Sequence, residues 1–263
     1  MAVYSYSKLE TFEKCKLKYK FRYIDKIIPD IPKSIEAHLG TIVHASLEWL
    51  YNKAMEKEIP SITDLIEYYS EKWIQEYSPD FLIVNKDMQV EDYFGKGTEF
   101  LINYYLKHQP FQDNTIATEK KIEFNLDEEG SKKILGFVDR LTENLENNEI
   151  EIHDYKTANT IPQRQEIEKS KQLGLYSLAI KELFGKDKKV CMIWHYLAHD
   201  VKICLRKTNE ELEKLRQDTI QTIDEIEATK TFPPSPSRLC DWCEYKNICP
   251  TFNNHQEKLY FNK

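Results

Sequence analysis

The feature of this sequence that most constrains its fold is a stretch, residues 134–156, in which two short β-type patterns flank a polar turn. Residues 134–140 are largely apolar and end in Asp139 and Arg140. Residues 149–156 alternate between apolar and polar side chains and end in Asp154 and Lys156. The Asn-rich segment 143–148 between them has the composition of a hairpin turn. The pattern therefore predicts two antiparallel strands.

The predicted hairpin brings charged side chains together at its strand ends. Asp154 and Lys156 are two residues apart on one strand, so they project from the same face, and an antiparallel return can bring Asp139 beside Asp154. Two carboxylates and a lysine in one place are unfavourable unless a divalent cation or an anion lies between them. Mg²⁺ or Mn²⁺ takes oxygen ligands and leaves positions for water and a phosphate. Lys156 can then orient the attacking water or help to deprotonate it. An ordinary hairpin with solvated charges is the alternative.

Length and composition limit the class of protein. A chain of 263 residues can bury a sizeable core. Its 41% hydrophobic and 31% charged residues indicate a globular protein, and no apolar run approaches the length that crosses a membrane. Charges occur throughout residues 1–20, which have no apolar signal region. We therefore expect an intracellular, cytoplasmic protein with no membrane partner.

One basic segment stands out in a chain whose net charge is −7. Residues 8–26 contain seven lysines and arginines against three acidic residues, with four aromatic rings among them. Such a segment can follow a phosphate backbone and stack on bases. The alternative is an amphipathic helix with a solvated basic face. Ser7 and Glu10 predict a capping box at the start of this helix.

The remaining periodicity predicts a mixed α/β fold. Helical patterns cover residues 37–57, 62–78 and 91–109, whereas residues 115–126 form a strand pattern. His44 lies within the first of these helices, where a lone histidine is more often structural than a ligand. Glu119, in the strand, is an additional acid near the predicted site.

After the hairpin the elements alternate again. Residues 161–184 predict a helix that carries Gln172 and Tyr176 on one face, although a surface glutamine and a packed tyrosine would give the same spacing. Residues 188–196 and 201–206 predict two strands, in which Cys191 and Cys204 pack as small apolar side chains. Thr208 and Glu211 predict a capping box for a helix that ends near residue 229. Strands mixed with helices in this order predict a mixed sheet flanked by helices.

A cysteine cluster near the end of the chain predicts a metal centre. Cys240, Cys243 and Cys249 lie within ten residues, close enough to share a metal ion or a cluster. Cys15 is the conspicuous candidate for a fourth ligand. The spacing leaves zinc and an iron–sulfur cluster open, and an intracellular chain argues against disulfides.

Six sequence patches together resemble one family, the RecB-type branch of the PD-(D/E)XK nuclease superfamily in its form with an iron–sulfur cluster. This branch includes the CRISPR-associated RecB-like exonucleases and the AddB-type nuclease domains. The patches are Ser5-Tyr6-Ser7-Lys8-Leu9 followed by Cys15, Gly40-Thr41-Ile42-Val43-His44, Gly136-Phe137-Val138-Asp139-Arg140, Asp154-Tyr155-Lys156-Thr157, Gln172-Leu173-Gly174-Leu175-Tyr176 and the three C-terminal cysteines. Two departures are that Val138 stands where the family name has a proline, and that residues 60–110 make the chain longer than the compact CRISPR members.

The resemblance implies a role for each matching residue. His44, Asp139, Asp154 and the backbone carbonyl of Tyr155 would bind Mg²⁺ or Mn²⁺, and Lys156 would position the hydrolytic water. Gln172 and Tyr176 would support the site and contact DNA. The four cysteines would hold a 4Fe–4S cluster that joins the two ends of the chain, and closing so long a loop stabilises a fold.

The resemblance also implies the organisation of the chain. It predicts a restriction-endonuclease-like nuclease domain over residues 1–263, with a helical insertion at about 60–110 and a nuclease core at about 115–207. An Fe–S segment at about 232–263 would be joined to Cys15.

The function implied is a metal-dependent deoxyribonuclease, an exonuclease that acts on single strands or DNA ends. The sequence has no phosphate-binding Gly-x-x-x-x-Gly-Lys-Ser/Thr loop, so it shows no ATP motor of its own. RecB and AddB nuclease domains are attached to or partnered with helicases, and the resemblance implies that this chain stands alone or has a helicase or a recombination or CRISPR adaptation complex as its partner. A nuclease-fold DNA-binding or assembly subunit that does not cut is the main alternative. A zinc-bound interaction module is a third possibility, and it would leave the acidic site without a role.

Overall fold

The computed structural model describes residues 2–29 and 33–253, and a mixed β-sheet lies at its centre. The strands are β1 (Ala2–Tyr4), β2 (Thr115–Asn125), β3 (Lys132–Asn144), β4 (Glu149–Lys156), β5 (Lys189–Tyr196) and β6 (Val201–Leu205). β2, β3 and β4 form an antiparallel meander, and β5 runs parallel to β4. β6 then returns antiparallel to β5, while β1 pairs in parallel with the start of β3.

Helices cover both faces of the sheet. They are α1 (Tyr6–Lys14), α2 (Lys16–Tyr19), α3 (Ile35–Met55), α4 (Ile62–Glu76), α5 (Val90–His108), α6 (Arg164–Glu168), α7 (Lys171–Phe184) and α8 (Asn209–Ala228). A π-helical turn, Lys20–Ile24, continues α2, and short 3₁₀ turns follow β5 and occur in the C-terminal segment. None of the described helices is both long and apolar enough to span a membrane.

Two hydrophobic cores lie on opposite sides of the sheet. One packs α1, α7 and α8 against alternate residues of the strands, including Val138 and Ile152. The other joins α3, α4 and α5, and Tyr155 of β4 packs into it. Alternation along a strand sends neighbouring side chains to opposite faces, so β4 contributes to both cores. The predicted mixed α/β fold with flanking helices is confirmed.

Several local predictions were wrong. Ser5, not Ser7, caps α1, since its hydroxyl accepts from the Lys8 N–H at 3.2 Å, and Ser7 Oγ lies 2.9 Å from Ser5 Oγ. The predicted helix over 161–184 is two helices, α6 and α7, because Ser170 has an extended ψ of 122° that interrupts the helical hydrogen bonds. Three-residue β1 is too short to have a recognisable periodicity.

Cys191 and Cys204 were predicted to pack as apolar side chains, and they instead form a disulfide between β5 and β6. The register explains their proximity. Cys204 of β6 lies opposite Ile193 of β5, and Ile193 is two residues from Cys191 on the same strand. Cys191 is buried, whereas Cys204 is on the surface.

The basic segment 8–26 has most of its charge compensated within the chain. Five of its seven cations lie within 4 Å of a carboxylate, among them Lys16 with Glu225 at 2.7 Å and Lys18 with Glu244 at 2.7 Å. These pairs favour the amphipathic helix with a solvated face over a surface that follows phosphates.

Candidate active site

A gap in the strand pairing creates a cleft beside β3. On one side β3 pairs with β2 along most of its length. On the other side, pairing with β1 ends at Ile134 and pairing with β4 begins at Arg140. In the described part of the chain, residues 135–139 therefore have a partner strand on one side only. β3 and β4 diverge at Asp139 and Asp154, and the space between them admits other groups.

His44 of α3 lies across this cleft and contacts both strands. Its Nδ1 is 3.3 Å from Asp139 Oδ2, and its Nε2 is 2.8 Å from the Tyr155 carbonyl oxygen. The Tyr155 N–H also donates to Asp139 Oδ2 at 2.9 Å. Three of the residues predicted from the sequence to bind a cation are thus brought together. The Gly40 position one turn earlier has little spare room, because a Cβ there would lie 3.3 Å from the Thr157 hydroxyl.

Glu119 completes the most compact group of potential ligands. A ring nitrogen of His44 and carboxylate oxygens of Glu119 and Asp139 all lie within 4.8 Å of one another. On β2, Glu119 lies between the residues that pair with Arg140 and Val138, so its position is opposite Asp139 of β3. The φ angle of Glu119 is 41°. Like charges directly opposite one another on neighbouring strands repel, which makes this arrangement costly without a cation. The sequence indicated Glu119 only as an additional acid and did not include it among the ligands.

Asp154 lies outside that compact group and pairs with Lys156. Lys156 Nζ is 2.7 Å from Asp154 Oδ2 and donates to Gln172 Oε1 of α7 at 3.3 Å. Tyr176, one turn later on α7, packs on Gly136, where a Cβ would lie 2.5 Å from Tyr176 Cε1. Both residues were predicted from the sequence to support the site. Gln172 lies beside Lys156, and Tyr176 lies beneath β3, the strand that carries Asp139.

Burial and mutual proximity perturb the pKa values of these groups. Burial alone would lower the pKa of His44, but the Asp139 carboxylate beside it raises that pKa to about 9. Burial opposes ionisation of Asp139, yet His44 and Lys156 hold its pKa below the usual value. Burial raises the pKa of Asp154 to about 6, although Lys156 acts in the opposite direction. At neutral pH, cationic His44 and Lys156 thus lie among ionised carboxylates.

The four cysteines predicted to bind a metal line one cavity of about 320 Å³. Cys15, Cys240, Cys243 and Cys249 are free thiols, each partly buried. Burial raises the pKa of the Cys243 thiol, and Cys15 is close enough to add to that effect. No three of these sulfur atoms lie within 4.8 Å of one another in the described residues.

Contacts between the two ends of the chain surround this cavity. Glu244 pairs with Lys18 at 2.7 Å, and the Tyr245 hydroxyl donates to the Ile27 carbonyl at 3.1 Å. The Tyr245 ring also packs against Phe21, with centroids 5.7 Å apart. The part of the predicted C-terminal segment at residues 254–263 lies outside the described residues.

Comparisons with known proteins are consistent with this geometry. A family profile described as "PD-(D/E)XK nuclease superfamily" matches residues 3–250. The chain is similar in structure to a protein from Eubacterium rectale named "putative exonuclease", with a TM-score of 0.53 and 10% identity over 92% of this chain and 86% of that chain. It is also similar to the crystal structure of SSO0001, with a TM-score of 0.38 and 16% identity over 83% of this chain and 96% of that chain. No curated protein matches the chain. At 10% identity, the likeness to the Eubacterium rectale protein shows a shared fold.

Proposed function

Because this chain belongs to the PD-(D/E)XK nuclease superfamily, we propose that it is a metal-dependent deoxyribonuclease, an exonuclease that acts on single strands or DNA ends. The observation that carries the proposal is the cleft where β3 and β4 diverge, since it gathers a histidine, three carboxylates and a lysine. The name of the Eubacterium rectale protein adds support for the exonuclease type.

His44, Glu119 and Asp139 would hold a divalent cation, with the Tyr155 carbonyl and Asp154 beside them. The donor set fits, because carboxylate and carbonyl oxygens with one imidazole suit Mg²⁺ and Mn²⁺. Like charges around one space also repel unless a cation lies between them. When bound, such a cation supplies a Lewis acid for the phosphate and lowers the pKa of water. His44 would bind the cation in its neutral form, and its ring nitrogens lie 3.3 Å from Asp139 Oδ2 and 2.8 Å from the Tyr155 carbonyl oxygen.

Lys156 would orient the attacking water and take part in moving its proton. Its ammonium group lies between Asp154 Oδ2 and Gln172 Oε1, so its position is determined by two fixed acceptors. Asp154, whose pKa is about 6, is ionised at neutral pH and can accept a hydrogen bond from that water. Positioned acid–base groups of this kind contribute roughly 10²–10⁴-fold to a reaction rate. Tyr176 would support Gln172 and contact the DNA strand.

We further propose that Cys15, Cys240, Cys243 and Cys249 hold a 4Fe–4S cluster, as in the RecB/AddB branch. Four free thiols that line one cavity are a suitable donor set. Zinc would use the same four thiolates as ligands. The cluster would add to the Lys18–Glu244 and Tyr245 contacts that already join the chain ends. Anaerobic purification followed by visible absorbance and iron and zinc analysis tests this; stoichiometric zinc without brown colour would refute it.

The proposed organisation is one nuclease domain over residues 1–263, with α4 and α5 as its helical insertion and the Fe–S segment joined to Cys15. We propose DNA as the substrate, and a helicase or a recombination or CRISPR adaptation complex as a partner. The helicase is proposed from the resemblance to the RecB/AddB branch. It would be a separate protein, since this sequence contains no phosphate-binding loop for ATP.

The test is digestion of end-labelled single- and double-stranded DNA, with RNA of the same sequence, in Mn²⁺, Mg²⁺ or EDTA. Lys156→Ala is compared with Lys189→Ala, which removes an exposed lysine from β5. We expect metal-dependent loss of label with wild type and Lys189→Ala, and none with Lys156→Ala. Cleavage by Lys156→Ala at the wild-type rate would refute the site. DNA binding without cleavage by the wild type would favour an assembly subunit instead.

A further inference from the structure

A buried arginine lies directly behind the candidate cation site and has no role in the reaction as proposed. Arg140 follows Asp139 on β3, and its side chain is 1% exposed. A buried cation is unfavourable unless it is paired and hydrogen-bonded. Its presence at this position therefore requires an explanation beyond filling space.

The hydrogen bonds of Arg140 connect its own strand, β3, to β4 and to β2. Its Nε donates to the Tyr155 hydroxyl at 2.9 Å, and its second terminal nitrogen is 3.0 Å from His153 Nδ1, both on β4. Its first terminal nitrogen donates to the carboxylate of Asp113 and, at 3.3 Å, to the Thr115 hydroxyl on β2.

An aromatic face completes the surroundings of the guanidinium. The carbon at its centre lies 3.9 Å from the centroid of the Tyr51 ring on α3, a geometry in which a cation is attracted to the ring face. The Tyr51 hydroxyl lies 2.8 Å from that of Tyr104, which in turn is 3.3 Å from that of Tyr155. The arginine is thus held in one orientation, with a rigid planar set of donors.

The position of these contacts along the strands gives them a consequence for the site. Arg140 pairs with His153 at the last backbone-paired position before β3 and β4 diverge. Beyond it, backbone hydrogen bonds between the two strands no longer set their separation. The bond from Arg140 Nε to the Tyr155 hydroxyl crosses from β3 to β4 at this point.

Tyr155 is the residue through which this bond reaches the cleft. Its side chain enters the core, while its main chain faces His44 and Asp139: the N–H donates to Asp139 Oδ2 and the carbonyl oxygen lies 2.8 Å from His44 Nε2. These two groups belong to the peptides on either side of the Tyr155 Cα, so a displacement of that Cα would shift both contacts. Fixing the position of the Tyr155 phenol therefore fixes two oxygen ligands of the proposed cation, Asp139 Oδ2 and the Tyr155 carbonyl oxygen.

We propose that Arg140 is a positioning residue, which aligns Asp139 and the Tyr155 carbonyl for the cation by clamping the Tyr155 hydroxyl across the diverging strands. This inference rests on the proposed cation site. The alternative is that the hydrogen bonds of Arg140 and the buried tyrosines only stabilise the core.

Two buried tyrosines distinguish these explanations. Tyr155→Phe removes the hydroxyl that Arg140 clamps and keeps the ring. Tyr51→Phe removes a buried hydroxyl from the same network, one that contacts Tyr104 of α5 rather than β3 or β4, and keeps the ring that faces Arg140. Tyr155→Phe loses two buried hydrogen bonds, to Arg140 Nε and to the Tyr104 hydroxyl, and Tyr51→Phe loses one. A purely structural role predicts that both variants lose stability and that neither loses Mn²⁺ affinity specifically.

The experiment is calorimetric titration of Mn²⁺ into metal-stripped full-length protein without nucleic acid, with thermal unfolding measured in parallel. We expect Tyr155→Phe to bind Mn²⁺ about tenfold more weakly, as for other groups that orient metal ligands, and Tyr51→Phe to bind it as wild type does. The melting temperatures of both variants should fall, and that of Tyr155→Phe should fall further because it loses two hydrogen bonds. Cleavage by Tyr155→Phe should recover towards the wild-type kcat at saturating Mn²⁺.

Arg140→Lys provides a second test, because it keeps the charge and loses the planar fork. We expect it to weaken Mn²⁺ binding as Tyr155→Phe does, with no further loss in the double variant. Unchanged Mn²⁺ affinity in a folded Tyr155→Phe or Arg140→Lys, or equal weakening in Tyr51→Phe, would overturn the positioning role alone. Wild-type protein that binds no Mn²⁺, or His44→Ala that binds it normally, would remove the proposed cation site and this inference with it.

Discussion

Gly136 supports the site from the core side of β3, and its replacement by alanine should both destabilise the protein and slow cleavage. A Cβ at this position would lie 2.5 Å from Tyr176 Cε1 and 3.0 Å from Tyr176 Cζ and the hydroxyl oxygen. Carbon atoms in favourable contact are about 3.5–4.0 Å apart. Because Tyr176 is only 6% exposed, its ring cannot move away without shifting α7.

The magnitude follows from two opposing effects. Overpacking a core by a methyl group costs about 1–3 kcal/mol. Alanine in a strand interior is favoured over glycine by about 0.5–1 kcal/mol, since the unfolded chain has less freedom to lose. We therefore expect Gly136→Ala to lower the free energy of unfolding by up to about 2.5 kcal/mol. Cleavage should also slow, because α7 carries Gln172, which accepts from Lys156.

Urea unfolding of four proteins tests this reasoning: wild type, Gly136→Ala, Tyr176→Leu and the double variant. Leucine lacks the three clashing atoms, so Gly136→Ala should be neutral or stabilising when Tyr176 is already leucine. The difference between the two backgrounds is the coupling energy of the pair. A matched control is Gly95→Ala in α5. A Cβ at this position would have no neighbouring atom within 4 Å, so the substitution should stabilise the protein by about 0.5–1 kcal/mol.

Two results would refute the explanation. If Gly136→Ala lowered the free energy of unfolding equally in both backgrounds, the Tyr176 ring would not be the group that clashes with the added Cβ. A stabilising Gly136→Ala in the wild-type background, like that expected at Gly95, would mean that the close packing under β3 does not exist.

Three further predictions concern charge. Glu119→Gln should weaken Mn²⁺ binding at least tenfold in calorimetric titration, because it removes one of the charged oxygen ligands, whereas Glu123→Gln, four residues along β2, should not. Lys156→Met should raise the pKa of the Asp154 carboxyl above about 6, since Lys156 opposes the effect of burial on that group; an unshifted pKa in an NMR titration of the carboxyl would contradict the pairing. His38 is fully buried and its pKa is lowered by that burial, so the unfolded chain binds a proton that the folded chain excludes, and stability should fall as pH drops below about 6.5. In His38→Leu, urea unfolding between pH 7 and pH 5 should show a shallower fall, and an unchanged slope would be evidence against a neutral buried His38.

Much of the local structure was predictable because it depends on residues close in sequence. The strand pattern predicted β4 with the bounds that it has, Glu149–Lys156. The capping box at Thr208 was also confirmed, with Glu211 N–H donating to the threonine hydroxyl at 3.2 Å. Alternation and capping are short-range signals, and a strand–turn–strand pattern brings its own two ends together. For this reason Asp139, Asp154 and Lys156 could be proposed as neighbours before any fold was known.

The register between distant strands could not be read from the sequence. Glu119 is separated from Asp139 by a turn and most of two strands, and only the β2–β3 pairing puts the two carboxylates opposite each other. Asp154 and Lys156 are neighbours on one strand and could be paired from the sequence, but their place outside the compact group that contains His44 could not. Shifting the register by one residue would turn every side chain to the other face, so no local pattern determines which acids meet.

Sequence alone determined that this chain is a mixed α/β protein with an acidic strand hairpin and a separate cysteine cluster, because periodicity, capping and spacing are local properties. The tertiary structure alone decided which side chains share a space. Arg140 shows the difference most clearly. In the sequence it is an arginine at a strand end, where a solvated charge is the ordinary expectation. In the fold, residues of β2, β4, α3 and α5 bury it behind Asp139. Burial of a charge depends on partners contributed by distant segments, and these come together only when the whole sheet has formed.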